Sequence, residues 1–524
     1  MTAGRAGAWL SRQWPALLVL FGVALVAWVT SPTDGDFWWY DSCRHAMNGV
    51  FMHDFFAQGG WRSPMTFARG YYEQYPAINI GFYPPLLYVV MAVALGLFGV
   101  SHAVCQAVIA AFAGAAAAAC YALARPRFDR LTAVAVALVA VLTPEMALWS
   151  RQVQPDVPAL AWLLWGAWAL ARYLETSRTR FLWWSATLFG CAISTRVQTI
   201  FLVPVWLGVL FLHPQARQAA LKLRLATTAW LGLLAAPAVL GMLYFARIAT
   251  GLATAMPGMP PLLSLGNWSW YLVRFPALFG LAGVLVVVVG VIVWLTSARS
   301  SWAAALSGRG GLMTAFALAA WLFFTVVSNK DVRFGMPIEP FALLAAALLW
   351  AGSPSRLAGA ARWAMLLGAA VAAVQIARAD ALHAVPRVTG HAEAARLVAE
   401  LAPPHGRVLV SAHRDGNFIF DLRTLTTRPD LSVLRADKLL VDILIVKDLG
   451  EHDKALSADA IAQMLARKNV GVVVSQTDYL DDLPSMHALR EMLDSGCCYT
   501  LSRTITVTGE HNADERELRV YVRR

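Results

Sequence analysis

Charge is what this sequence has least of. Only 14% of its 524 residues are charged and 58% are hydrophobic, against about 25% charged in a typical soluble domain. A chain this long exceeds what one hydrophobic core usually serves, so more than one unit is expected. The scarcity is uneven: residues 13–380 carry long apolar runs, whereas 385–524 are rich in Arg, Asp, Glu and His. Cysteine is scarce too. Six scattered cysteines exclude a disulfide framework. Cys105, Cys120 and Cys191 fall in apolar runs and read as core filler. The adjacent Cys497 and Cys498 read as two ordinary thiols, with pairing open to them only if the tail lies outside the cytoplasm. A Walker loop, a dinucleotide fingerprint, HExxH and a nucleophile elbow are all missing, so no soluble nucleotide cofactor is indicated. The net charge of +11 does not point to nucleic acid. The basic residues sit largely in short loops between apolar runs, with no basic-plus-aromatic stripe.

What is present is membrane-spanning sequence. A membrane helix needs about 20 mostly apolar residues. Runs of that kind stand near 13–30, 102–124, 131–149, 157–174, 181–194, 197–212, 226–247, 273–296, 312–328, 335–351 and 363–380. Ser194-Thr195-Arg196 divides one long stretch into two. The first run follows Arg5 and Arg12 and lacks a small-residue cleavage site, so it reads as an uncleaved span. A further run, 84–99, is long enough for a short span, but loop charge argues against crossing. With the N-terminus cytoplasmic and 84–99 not crossing, Arg125, Arg127, Arg130, Arg172, Arg178, Arg180, Arg217, Lys222, Arg224, Arg299, Arg309, Arg356 and Arg362 are all cytoplasmic. The outer loops after residue 100 then hold only Arg151, Arg196, Lys330 and Arg333, as the positive-inside rule requires. The run 84–99 is therefore expected at the outer interface. The expected architecture is a mainly α polytopic membrane domain over 1–384, of about eleven spans, with a long first outer loop at 31–101. A soluble, extracytoplasmic α/β domain follows over 385–524.

This topology gathers the ionisable residues on the outer side, where groups at membrane ends are costly and often functional. The first outer loop holds Asp34, Asp36 and Asp41, and aromatics from Phe37 to Tyr75 that suit an interface. A second outer loop, 248–272, carries Pro257, Pro260 and Pro261, then Trp268, Trp270 and Tyr271. Arg151 and Asp156 open the fourth span, Arg196 lies at the break, and Lys330, Asp331 and Arg333 precede the tenth. A carboxylate here can take a proton from a hydroxyl or hold a metal, and Arg or Lys can clamp a phosphate. Asp34 and Asp41 read as loop or cap residues. Glu73, His45 and His53 lack the spacing of metal ligands.

Four local features resemble the GT-C superfamily of membrane glycosyltransferases, in the branch with protein O-mannosyltransferases and lipid A aminoarabinose transferases. The first is Asp36-Phe37-Trp38-Trp39-Tyr40 after span one, with Ala46 and Gly49 downstream. The second is Tyr83-Pro84-Pro85-Leu86-Leu87-Tyr88 followed by Leu97-Phe98-Gly99. The third is Arg151 with Asp156, and the fourth is Arg333-Phe334 with Pro337 and Pro340. Phe37 stands where family members commonly have Glu, and Tyr83 where aminoarabinose transferases often have Lys. The resemblance covers about residues 13–380. It implies inverting transfer of a hexosyl or pentosyl group from a polyprenyl-phosphate donor to a glycan, lipid or protein acceptor, on the periplasmic face of the inner membrane. It assigns Asp36 and Asp156 as catalytic. Arg151, Arg196, Lys330 and Arg333 are assigned to the lipid phosphate, and Tyr40 and Tyr83 to the cleft. The prenyl chain is expected in an apolar groove among the helices. A divalent metal is compatible with this and not required by it. A lipid-linked-glycan transporter or flippase, and a non-catalytic envelope-assembly protein, are the competing classes.

In the tail, helical spacing marks 391–401, 458–467 and 486–494. Strand patterns mark 407–411, 441–446, 471–475, 499–507 and 517–523. His413-Arg414-Asp415 reads as a turn rather than a catalytic set.

Overall fold

The computed structural model describes residues 14, 17–19, 21–79, 82–244, 258–296, 308–351, 355–381, 385–443, 450–509 and 516–524. Arg5, Arg12, Arg299, residues 248–257 of the expected second outer loop and 444–446 of the expected strand lie outside the described residues. The chain forms two compact units. One comprises Met1–Ser31, Gly81–Leu87 and Ala107–Ala384; the other comprises Pro32–Ile80, Tyr88–Gln106 and Val385–Arg524. The first outer loop thus folds with the tail, which a boundary drawn at residue 384 does not convey.

The first unit is helical. Among the described residues, six helices are long and apolar enough to cross a membrane: His102–Ala124, Asp156–Thr176, Leu221–Tyr244, Phe275–Ile292, Arg309–Val326 and Val332–Ala351. The other expected runs also form helices: the shorter Leu17–Val29, Arg130–Val141, Thr179–Thr195 and Val197–Leu212, and the 27-residue Ser355–Ala381, whose apolar part is Arg362–Gln375. The run 131–149 breaks because Pro144 has no N–H to continue a helix. A second helix, Pro144–Trp149, starts there, and the Thr143 hydroxyl accepts from the Met146 N–H. The break at Arg196 is real: its backbone is extended (φ −148°, ψ 111°) before a 3₁₀ turn, Val197–Phe201.

Lipid gives helices no hydrophobic reason to associate, so close packing does the work. A Cβ at Gly166 would meet the Phe189 ring at 2.4 Å, and one at Gly190 would meet Leu234 Cβ at 2.6 Å. Ser185 Oγ donates to the Gly166 carbonyl at 2.9 Å. The Arg309 guanidinium binds both oxygens of Glu175 and donates to the carbonyls of Ala122 and Leu123. One side chain so ties three helices together.

In the second unit, the described residues of the tail form seven strands: β1 (Arg407–Ser411), β2 (Ser432–Arg435), β3 (Val441–Ile443), β4 (Glu451–Asp453), β5 (Val470–Ser475), β6 (Tyr499–Thr506) and β7 (Glu517–Arg523). Five of them form one sheet in the order β2-β1-β5-β7-β6, and β3 pairs separately with β4. β5 is buried at all six positions, as its Val-rich sequence suits a central strand. Helix His391–Leu401 buries His391, Ala394, Ala395, Leu397 and Val398, a helical stripe.

The first outer loop contributes helices Tyr40–Ala57, Pro64–Gln74 and most of Leu86–Phe98 to this unit. Leu86–Phe98 has 13 residues. At about 1.5 Å per residue it is roughly 20 Å long, short of a hydrocarbon core about 30 Å thick. Polar bonds join loop to tail: Arg423 pairs with Asp54 at 2.8 Å and Arg44 with Asp415 at 2.8 Å.

Candidate active site

In the first unit, three chain breaks bring charge together. Asp156 opens the helix Asp156–Thr176, where free backbone N–H groups and the helix dipole favour a carboxylate. Arg196 stands at the extended break. Arg333 lies on a 3₁₀ turn, Val332–Gly335, started by Asp331, whose carboxylate accepts from the Arg333 N–H at 2.9 Å. The Arg196 guanidinium pairs directly with the Asp156 carboxylate, and Arg333 Nε lies 3.9 Å from its other oxygen. Both guanidiniums sit 5.3 Å from the centre of the Phe334 ring. Arg333 is also 4.7 Å from the Trp149 ring, whose N–H donates to Glu145 at 2.8 Å. Tyr83 is within electrostatic reach of Arg196. Asp156 and Arg333 are buried, and the Arg196 side chain is 11% exposed. Arg333 also lies 4.0 Å from the partly exposed Asp331 carboxylate. Two guanidiniums converge on the buried Asp156, and both can turn to an incoming anion.

The space among Asp156, Arg196, Thr199, Phe324, Arg333 and Phe334 is about 10 Å³, roughly the room one water needs. A much larger groove, about 890 Å³, is lined by Ile200, Phe201, Val205, Leu312, Ala315 and Phe323 among other apolar residues. Thr199 and Ile200 are consecutive, as are Phe323 and Phe324, so the charged space and the groove are lined from the same two segments.

The remaining sequence-assigned residues are distributed differently. The Lys330 ammonium donates to the carbonyls of Phe324 (2.7 Å) and Thr325 (2.6 Å), closing the C-terminal end of the helix Arg309–Val326. Burial pushes it down to about 8. Arg151 donates to the Thr30 hydroxyl at 2.7 Å and to the Ala147 carbonyl at 2.6 Å. It lines a different cavity, with Met146 and Ser150.

Asp36 and Tyr40 belong to the second unit. One Asp36 oxygen accepts from the His391 N–H at 2.9 Å and lies 3.0 Å from its ring Nδ1; the other accepts from the Ala392 N–H at 3.3 Å. Asp36 thus caps the helix His391–Leu401 across 355 residues of sequence. Burial pushes the Asp36 carboxyl up, but the bonds and charge of His391 outweigh it, so it lies below the ordinary carboxylate value. Asp421 faces Asp36 and is driven far the other way, by burial and then by the Asp36 charge. Asp41 sits partly exposed in the first turn of the helix Tyr40–Ala57, and its carboxylate makes no bond among the described residues. Asp34 pairs with Arg387 at 2.9 Å at the surface. The Arg414 guanidinium lies 5.0 Å from the centre of the Tyr40 ring and donates to the carbonyls of Phe37 and Trp38. His413 and Arg414 do form a turn, with Arg414 buried inside it.

His45 hydrogen-bonds Tyr88 at 2.8 Å and His53 contacts Asp54 at 3.1 Å. Among the described residues no three His, Cys, Asp or Glu side chains gather to hold a metal. Asp156 already faces two cations, so this donor set does not fit one. Sequence reasoning missed Trp149, gave Phe334 no role of its own and set Asp41 aside as a cap. An aromatic beside a functional arginine is the signal that points to the first two. Asp41 shows only an acidic first turn, which a plain helix start also has.

Residues 83–245 match the family described as dolichyl-phosphate-mannose-protein mannosyltransferase. No curated protein matches the sequence. Among solved structures, the chain is similar to ArnT from Cupriavidus metallidurans bound to undecaprenyl phosphate, at 13% identity and a TM-score of 0.56, covering 96% of this chain and 97% of that one. It is also similar to the oligosaccharyltransferase AglB from Archaeoglobus fulgidus, in complex with an inhibitory peptide and a dolichol-phosphate. There the identity is 12% and the TM-score 0.53, over 96% of this chain and 75% of that one. The chain is a multi-pass membrane protein with the GT-C fold, joined to a C-terminal α/β region.

Proposed function

We propose that this chain is an inverting glycosyltransferase. It moves a sugar from a polyprenyl-phosphate donor to a glycan, lipid or protein acceptor on the periplasmic face of the inner membrane, with its N-terminus cytoplasmic and its tail periplasmic. The observation that carries this reading is the buried guanidinium pair Arg196 and Arg333, on segments that also line an apolar groove. A long apolar tail with one anionic headgroup fits that combination. The match to a dolichyl-phosphate-dependent family and the polyprenyl phosphates bound by ArnT and AglB agree with it.

In the reaction, the acceptor oxygen bonds to the sugar's anomeric carbon as the bond from that carbon to the phosphate oxygen breaks. The acceptor proton passes to a carboxylate, and the bond's electron pair leaves on the phosphate. A single displacement of this kind inverts the anomeric centre. Arg196 and Arg333 stabilise the phosphate as charge grows on it, in a site that excludes water and so strengthens them. Asp156 holds both guanidiniums before the donor arrives, and the phosphate takes them over from it. This makes Asp156 a positioning residue in the donor site. Tyr83 and Phe334 shape the entrance. Asp36 spends both oxygens on the cap of helix His391–Leu401, whereas the Asp41 carboxylate makes no bond among the described residues. On that ground Asp41 is the better proton acceptor of the two, and Asp36 holds the loop in place.

The test is transfer from a polyprenyl-phosphate sugar by purified Asp36→Asn, Asp41→Asn and Asp156→Asn variants. Asp41→Asn should lower kcat at least a hundredfold with donor KM little changed, and Asp156→Asn should raise donor KM. Asp36→Asn should lower the melting temperature, with a smaller loss of kcat than Asp41→Asn. Full kcat in Asp41→Asn would overturn the assignment of the base. Lipid-linked sugar crossing the bilayer with no transfer would favour the transporter class.

A further inference from the structure

The second unit contains a cavity of about 430 Å³ that the proposed transfer chemistry does not use. One wall is the end of the helix Pro64–Gln74, which supplies Tyr72 and Glu73. The other is strand β2, at the edge of the sheet, with the helical turn Ala436–Leu439 after it. They supply Val433, Arg435 and Lys438, and Arg407 joins them from the start of β1.

The cations in this cavity are held differently. Arg435 is fixed by Asp415 at 2.5 Å and Asp437 at 2.7 Å, and donates to the Pro76 carbonyl at 3.4 Å. Arg44 shares Asp415 at 2.8 Å. Lys438 donates to the neutral carbonyl of Ile443, and burial pushes its ammonium below the usual lysine value. The Arg407 guanidinium is exposed and has no partner among the described residues. Arg44, Arg435, Lys438 and Arg407 thus face Asp415, Asp437 and Glu73, which leaves one positive charge in excess. The two cations without a carboxylate of their own, Lys438 and Arg407, are those open to an incoming anion. Tyr72 is 45% exposed. An exposed aromatic face beside polar groups suits the apolar face of a sugar ring.

We infer that this cavity binds a sugar carrying an anionic group, with the ring against Tyr72 and the anion on Lys438 and Arg407. As a site for an acceptor saccharide it rests on the transferase reading, but binding itself needs no turnover. Phosphate and carboxylate are the two sources of such charge, and Arg and Lys accept both.

The test is calorimetric titration of the full chain in nanodiscs with glucose 1-phosphate and glucuronic acid, using glucose and inorganic phosphate as controls. At least one anionic sugar should bind at least tenfold more tightly than glucose and than inorganic phosphate, and the stronger of the two identifies the anion. Arg407→Gln should weaken that binding at least threefold, and Arg407→Gln with Lys438→Gln at least tenfold, with unchanged near-ultraviolet circular dichroism. Arg407 is exposed, so its single substitution keeps the test decisive if the double variant fails to fold. Glucose or inorganic phosphate binding as tightly as the stronger anionic sugar, or no loss in Arg407→Gln, would overturn the inference. No donor lipid is present, so failure here leaves the transfer reading standing, and failure of transfer leaves this result standing.

Discussion

Arg333 does three things with one side chain: it faces Asp156, lies over Trp149 and lies over Phe334. A lysine keeps the charge but loses the planar fork and the stacking. Arg333→Lys should therefore lower kcat/KM for the donor by about ten- to a hundredfold, roughly 1.4–2.8 kcal/mol, mostly through KM. Steady-state kinetics with varied donor checks it, and unchanged kinetics would remove Arg333 from the phosphate site. Asp421 makes a second prediction. Its folded pKa is raised by burial and by Asp36. The stability it contributes is therefore present below the unfolded carboxylate value and lost as pH rises toward the folded one. Asp421→Asn keeps a donor for Asp36 and cannot ionise. It should melt higher than the parent chain at pH 7 and show little difference near pH 4, by thermal unfolding followed through circular dichroism. At this scale the sequence identified Asp156, Arg196 and Arg333 as residue types at chain breaks. It could not show that Asp36 is spent on a helix 355 positions away, because long-range bonding leaves no local pattern.

Helices followed the apolar runs because lipid demands both apolar surface and satisfied backbone. The expected runs all coincide with helices among the described residues, and Pro144 and the extended Arg196 set their interruptions. Helix Asp415–Leu425 escaped sequence reading. Asp415 to Leu422 are all buried, so polar and apolar residues do not alternate with a helical period. Strand β2 escaped because it has four residues, too few for alternation to register. Packing gives the prediction at this scale. Gly190 leaves no room for a side chain against Leu234. Gly190→Leu should destabilise the chain by about 1–3 kcal/mol, read as a lower melting temperature in detergent and a lower yield of monodisperse protein. A melting temperature equal to the parent's would show that this helix pair does not pack as described.

For the molecule as a whole, hydropathy and loop charge pointed to a polytopic chain with an α/β tail, and the GT-C fold agrees. The division into units was less legible. The first outer loop folds with the tail through pairs such as Arg423 with Asp54, and neither residue's sequence neighbourhood announces the other. In the proposed reaction the charged site and the groove act together on one lipid-linked donor. The most direct measurement is release of polyprenyl phosphate from a polyprenyl-phosphate sugar by the purified chain in liposomes, comparing the parent with the Arg196→Gln, Arg333→Gln double variant. The parent should show acceptor-dependent release with inversion at the anomeric carbon, and the variant should show at least a hundredfold less while it still inserts and folds. Equal release by parent and variant would contradict a role for the two guanidiniums in the transfer.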